Sequence, residues 1–135
     1  METKEIMKIV KEKVTETVRM MMEHKEGEMQ WVGTKTDLLE LIHEAWMQAE
    51  IYEPDGNQAR FSYLVREVFG RLQMTVPRNP SVHVSRSMQK KGVFARSIVE
   101  RWKTIAERNE YNCKKAIDVC LHNMLIMDEL KNTRV

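Results

Sequence analysis

An all-α fold is the prediction for this chain of 135 residues, and three observations support it. The sequence contains five glycines and three prolines, which favours long regular elements over a β-sandwich with many turns. Apolar residues recur at steps of three and four, which is the helical period. Hydrophobic residues make up 42% and charged residues 31%, as in a soluble globular domain. We therefore expect one domain, in which an amphipathic helix at 1–27 and a helix at 111–135 flank a helical core at 31–108.

The first predicted element is a helix over residues 2–24, where neither Gly nor Pro occurs. Its apolar residues form a single stripe: Met7, Val10, Val14, Val18 and Met21. The stripe can dock on the core or form a seam with a second copy of the chain. Two heptads are fewer than a coiled coil usually requires, so docking is the preferred interpretation. A homodimer through the terminal helices remains a second option.

The second predicted helix spans residues 35–52. Thr34 followed by Asp37 matches a helix start, because the hydroxyl accepts hydrogen bonds from first-turn amides and the acid suits the positive end of the helix dipole. Its buried face is expected to contain Leu38, Leu41, Ile42, Ala45, Trp46 and Ala49. The three tryptophans all fit apolar faces and are expected to anchor the core: Trp31, Trp46 and Trp102.

Residues 53–57 have the composition of a turn, because Pro fixes φ, Gly admits positive φ, and Asn57 can cap the helix that follows. That third helix is expected to bury Phe61, Leu64, Val65, Val68, Phe69 and Leu72. Arg60, Arg66 and Arg71 are then spread over its outer surface.

The next element begins at a clear signal, since Asn79 suits an N-cap and Pro80 loses no hydrogen bond at the first helical position. Val84 and Met88 are expected to face inward. A polar stripe on another side of this helix could face a ligand: His83, Arg86 and Lys90. Residues 82–85 also alternate like a short strand, so both structures remain possible for them.

Two more helices complete the prediction, and Gly92 separates them from the preceding element. The first has an inward face made by Phe94, Ile98, Trp102 and Ile105. The second, residues 113–131, is expected to bury Ala116, Ile117, Cys120, Leu121, Met124 and Leu125. Short basic helices in the middle of the chain are typical of a helix-turn-helix module, in which two helices support a third that enters the major groove.

Charge is distributed unevenly along the chain. Residues 60–103 carry ten Lys or Arg and only two acids, Glu67 and Glu100, which gives a charge near +8. The whole chain sums to +2, so the remaining residues carry a charge near −6. Concentrated positive charge attracts polyanions, above all the phosphates of nucleic acids. This asymmetry is the strongest functional signal in the sequence.

Other kinds of site are not indicated. His43 and Glu44 lack the second histidine, four residues on, that a zinc protease needs. Cys113, Cys120 and His122 have no paired metal-ligand spacing, and core packing explains the cysteines. No phosphate-cradling glycine loop or nucleophile elbow occurs. We therefore expect neither an enzyme nor a bound metal or cofactor.

The sequence also indicates the compartment. No charged and then apolar leader appears at Met1, and the apolar runs are too short to cross a bilayer. Two cysteines do not suggest a disulfide framework. We expect a reduced, cytoplasmic setting and no membrane partner.

The run Trp-Val-Gly-Thr-Lys-Thr-Asp-Leu-Leu-Glu-Leu-Ile at 31–42 resembles the opening of the C-terminal domain of RteC-type regulators, which belong to conjugative elements of Bacteroides-like bacteria. Residues 61–72 are similar to that family's second helix, and residues 85–91 to its third, which is rich in Arg and Lys. The resemblance covers residues 31–102, about half of the chain. It implies a winged-helix-like DNA-binding domain that activates genes for excision of the element.

The predicted function is therefore that of a DNA-binding transcriptional regulator acting on double-stranded DNA. Candidates for reading base edges are His83, Arg86, Gln89 and Lys90. Candidates for contacting phosphates are Arg60, Arg66, Arg78, Lys91, Arg96 and Arg101. The alternative is a non-enzymatic interaction module, in which the basic face docks an acidic partner and the outer helices supply an apolar groove.

Overall fold

A computed structural model describes residues 2–90 and 96–127 of the chain. In chain order the described elements are α1 (Thr3–Glu23), β1 (Met29–Trp31), α2 (Lys35–Gln48), α3 (Phe61–Arg71), α4 (Pro80–Lys90), α5 (Ile98–Arg108), α6 (Cys113–His122) and β2 (Leu125–Met127). The fold is mostly helical, with one short two-stranded sheet in the described part. The predicted all-α class is confirmed.

Helix α1 lies at the centre of the helical packing, where it contacts α2, α3, α5 and α6. Val10, Val14, Val18 and Met21 have no exposed surface, whereas Met7 is half-buried. The predicted docking of α1 on the core is therefore confirmed. Because its apolar stripe is buried within the chain, the stripe is not available as a seam between subunits.

The sheet was not expected from the sequence. Strands β1 and β2 pair antiparallel, with Gln30 opposite Ile126 and Trp31 opposite Leu125. The predicted last helix over 113–131 was wrong in its second half, because α6 ends at His122 and residues 125–127 form β2. Leu125 is buried as predicted, but it reaches the core from a strand. Residues 128–131 of that prediction lie outside the described residues.

The segment between β1 and α2 leaves little room for a side chain at Gly33. A Cβ on Gly33 would lie 3.0 Å from the ring of Trp31, so a larger residue would push against that ring. The indole N–H of Trp31 donates to the carbonyl oxygen of Thr34 at 2.9 Å, and Thr34 caps α2 by accepting from the Asp37 N–H at 3.0 Å. Trp31 is buried, as predicted for a core anchor.

Helix α2 ends at Gln48, four residues earlier than predicted. Ala49 adopts a left-handed conformation, with φ 58°, and its N–H donates to the carbonyl of Trp46. Trp46 itself is 36% exposed, so its prediction as a buried anchor was wrong. It lies in the last turn of α2, which ends two residues later. Its other neighbours are the rings of His43 and Phe61, at centroid distances of 5.4 and 5.9 Å.

The turn before α3 is built as its composition suggests, but Asn57 does not cap the helix. Its backbone N–H and side-chain amide both donate to the Asp55 carboxylate, at 2.9 and 3.0 Å. The N-cap residue of α3 is Arg60, whose side chain makes no capping hydrogen bond. Every residue predicted for the buried face of α3 is buried.

Residues 82–85, for which the sequence allowed either a helix or a strand, are part of helix α4. The helix begins at Pro80, directly after Asn79, whose φ of 53° is one that Asn tolerates better than most residues. Val84 is buried, as predicted. The side chain of Met88 and the whole of Phe94 lie outside the described residues.

Helix α5 contacts α2 and is fixed at its start by two acceptors. The hydroxyl of Ser97 accepts from the Glu100 N–H at 3.2 Å, and the buried carboxylate of Glu40 accepts from the Ile98 N–H at 3.2 Å. Trp102 has no exposed surface, so its role as a core anchor is confirmed.

Candidate nucleic-acid interface

Helix α4 lies on the surface and is supported by two other helices. It contacts α2 and α3, which also contact each other. Val84 turns into this contact and is 2% exposed. Ser81, Val82, Ser85 and Arg86 are exposed. Within the described residues, α4 therefore presents an open outer face that carries no acidic side chain.

His83 is only half-exposed, and its ring is already engaged. Its Nε2 atom lies 3.2 Å from the hydroxyl oxygen of Thr36, in the first turn of α2. This hydrogen bond helps to hold α4 against α2. Among the four base-reading candidates, His83 is thus placed beside a neighbouring helix, whereas Arg86, one turn further along α4, is open to solvent.

Arg60 is held by a carboxylate. Its Nε and Nη2 atoms donate to the two oxygens of Glu53 at 3.0 and 2.9 Å, and its backbone N–H donates to the same carboxylate at 3.1 Å. These hydrogen bonds lower the pKa of Glu53 below its ordinary value and raise the pKa of Arg60. The pair links the two ends of the turn at residues 53–59, and the charge of Arg60 is balanced by the Glu53 carboxylate.

Arg101 is also paired with an acid. Its Nη2 atom donates to the Asp37 carboxylate at 2.5 Å, which links α5 to the first turn of α2. Arg60 and Arg101 are therefore surface groups whose charges are balanced by neighbouring carboxylates.

Four other candidate arginines are exposed and make no ion pair within the described part of the chain: Arg66, Arg78, Arg86 and Arg96. The guanidinium carbon of Arg66 lies 5.9 Å from the ring centroid of Tyr63, a cation–π contact that leaves its N–H groups free to donate. The Nη1 atom of Arg96 is 3.4 Å from the Thr104 hydroxyl. The side chains of Gln89 and Lys90, and all of Lys91, lie outside the described residues.

Sequence reasoning missed the two carboxylates that reach into the basic segment. Glu53 lies seven residues before Arg60 across a turn, a short spacing that could have suggested the pair. Asp37 and Arg101 are 64 residues apart, and no local pattern connects them. From the sequence, Asp37 was expected to interact only with the positive end of the α2 dipole, and its pairing with Arg101 was not expected.

Comparison with protein-family models, curated proteins and solved structures returns no match to this chain. Within residues 2–90 and 96–127, no group of three or more His, Cys, Asp or Glu side chains is arranged to hold a metal ion. In the same residues, no helix has both the length and the apolar character needed to cross a membrane.

Proposed function

We propose that this protein binds double-stranded DNA through α4 and acts as a transcriptional regulator similar to the RteC type. The observation that carries the proposal is the position of α4. The helix lies on the surface in the middle of a stretch, between Glu67 and Glu100, that contains no acidic residue. A helix with this charge and exposure fits the electrostatic requirements of a DNA groove.

The packing of α2, α3 and α4 supports the proposal. Each of the three helices contacts the other two, as in helix-turn-helix domains, where two helices position a third for the major groove. The connector at residues 72–79 is longer than the turn of three or four residues found in the shortest such motifs. The buried Val84 and the hydrogen bond of His83 fix the orientation of α4 on its support.

The geometry refines the roles of the individual residues. Arg86 is the first choice for a base-edge contact, since an exposed guanidinium can donate to guanine O6 and N7, and Gln89 and Lys90 follow it on the same helix. The phosphate contacts fall to three arginines without an ion pair among the described residues, Arg66, Arg78 and Arg96, together with Lys91, which the sequence assigns to the same role. Arg60 and Arg101 preserve the shape of the support instead.

The salt dependence of binding tests this division of roles. Four phosphate contacts predict a slope of log K against log salt concentration of about −3.6, whereas all six candidates together predict about −5.4. Fluorescence anisotropy of a labelled duplex, titrated at several salt concentrations, measures this slope. A flat salt response would rule out binding to phosphates.

A charge-matched pair of variants tests the surface. The variant R86E/K90E reverses two charges on α4. It should reduce duplex affinity by more than a hundredfold at low salt, while the circular dichroism spectrum of the folded chain is unchanged. The control K25E/K115E alters the net charge equally on exposed lysines outside α4 and should cause a much smaller loss.

Equal losses in the two variants would mean that net charge, not α4, governs binding. If the unmodified protein fails to bind duplex DNA even at low salt, the proposal is wrong. The acidic protein partner would then be the better explanation for the basic face.

A further inference from the structure

A groove between α1 and the C-terminal end of α2 is not used by the proposed function. It has a volume of about 370 Å³ and is partly open to solvent. Small-molecule sites usually occupy about 300–1,000 Å³, so the groove can hold a small ligand. Its wall on the α1 side carries three lysines at helical spacing, Lys4, Lys8 and Lys11, and the side of α2 contributes Gln48.

The three lysines are not neutralised by the fold. None of them makes an ion pair with a carboxylate among the described residues. Like charges at a spacing of four residues on a helix repel each other, so an anion bound between these lysines would relieve an unfavourable arrangement. Two acids also line the groove, but Glu12 is drawn to Lys114 on α6, with 3.9 Å between Oε2 and Nζ. In the lining, Glu50 is then the remaining carboxylate beside the three lysine ammonium groups.

Thr15 provides an independent indication of a ligand. It lines the same groove and is the most deeply buried of the lining residues, at 1% exposure. Its hydroxyl oxygen has no hydrogen-bond partner among the described residues. By contrast, the hydroxyl of Thr17 on the same helix donates to the carbonyl oxygen of Lys13 at 2.7 Å. Buried polar atoms are almost always paired, so Thr15 retains an unused hydroxyl donor beside the cationic groove.

We propose that this groove binds the phosphate group of a small molecule. Lysine ammonium groups are common phosphate ligands, and a threonine hydroxyl can donate to a phosphate oxygen. The side chain of Met7, also in the lining, offers apolar surface against which an organic body can lie. The same chemistry suits free phosphate and a phosphate monoester, and the probes below distinguish the two. The proposal is independent of DNA binding through α4.

Isothermal titration calorimetry of the full chain with adenosine 5′-monophosphate, inorganic phosphate and adenosine tests the proposal. We expect saturable binding of one phosphate-bearing probe per chain and none of adenosine. Tighter binding of the nucleotide than of inorganic phosphate identifies a phosphate monoester as the ligand class, and the reverse order identifies free phosphate. If neither phosphate-bearing probe binds saturably, the proposal is overturned.

Two variants localise the binding. K8Q/K11Q should weaken phosphate binding by more than tenfold, whereas the control K25Q/K35Q, which removes two exposed lysines outside the groove, should leave it unchanged. Thr15→Val retains the shape of the side chain and should weaken binding about tenfold. Its unfolding midpoint without phosphate should not fall, because the hydroxyl has no partner to lose. Equal weakening by both lysine pairs, or full binding by Thr15→Val, would contradict the proposed site.

Discussion

Arg60 and Arg101 show how a charge in the sequence can be used inside the fold. The sequence predicted both as phosphate contacts, because each lies in a basic segment at a solvent-facing position. The exposure was predicted correctly, but the partner was not, since Glu53 and Asp37 meet these arginines only after the chain has folded. The sequence therefore shows how many charges a segment carries more reliably than it shows which of them are paired with an acid in the folded protein.

The Glu53–Arg60 pair predicts a specific pH dependence of stability. Because the pKa of Glu53 is lowered in the folded protein, its ionised form stabilises the fold above the ordinary pKa of 4.5. That contribution is lost as the pH falls through the lowered value. Glu53→Gln should therefore reduce the urea midpoint at pH 7, and the difference from the unmodified protein should disappear in acid.

A double-mutant cycle provides the control for this prediction. Arg60→Gln removes the partner and should lower the urea midpoint over the same pH range. If the two residues act as a pair, the double variant is less destabilised than the sum of the single variants. Strict additivity, or a difference that persists unchanged to low pH, would show that the pair does not produce the effect.

At the level of elements, periodicity located the helices well. Val10, Val14 and Val18 of α1 and the buried face of α3 were read correctly, because residues that face the core recur at the helical period, whereas Trp46 on the predicted face of α2 is exposed. The ends were less predictable. Residues 125–127 fit a helical continuation of α6, yet they pair with β1, and that partner lies almost a hundred residues away in the sequence. Tertiary pairing overrides local preference at such positions.

The C-terminal end of α2 leads to a prediction about stability. Ala49 adopts a left-handed conformation that costs an L-residue about 1 kcal/mol and that glycine adopts without strain. Ala49→Gly should therefore raise the free energy of unfolding by about 0.5–1 kcal/mol, measured by urea denaturation.

Ala116→Gly is the matched control, because the same substitution then falls inside helix α6. There it should lower the free energy of unfolding by about 1 kcal/mol, since glycine is a poor helix former. Destabilisation by both substitutions would mean that the left-handed position carries no strain.

For the molecule as a whole, the β1–β2 pair joins the segment between α1 and α2 to the last described residues of the chain. Leu125 is 3% exposed and faces Trp31, whereas its neighbour Ile126 is 49% exposed. Leu125→Ala should lower the free energy of unfolding by about 2–4 kcal/mol, because it leaves a cavity in the common core. Ile126→Ala should cost less than about 1 kcal/mol.

Chemical denaturation followed by tryptophan fluorescence and by circular dichroism measures both effects. If the sheet belongs to the single core, the two probes report one transition for each variant. Separate transitions for Leu125→Ala would instead show that the sheet unfolds independently of the helices.

The same pairing sets an order for assembly during protein synthesis. Trp31 emerges from the ribosome early, but the strand that covers it includes residues up to Met127. Until that strand emerges, β1 has no partner and the indole ring lacks its opposite neighbour. A nascent chain whose residues 125–127 are still inside the ribosome is therefore expected to display this exposed edge to chaperones, whereas one in which they have emerged can close it.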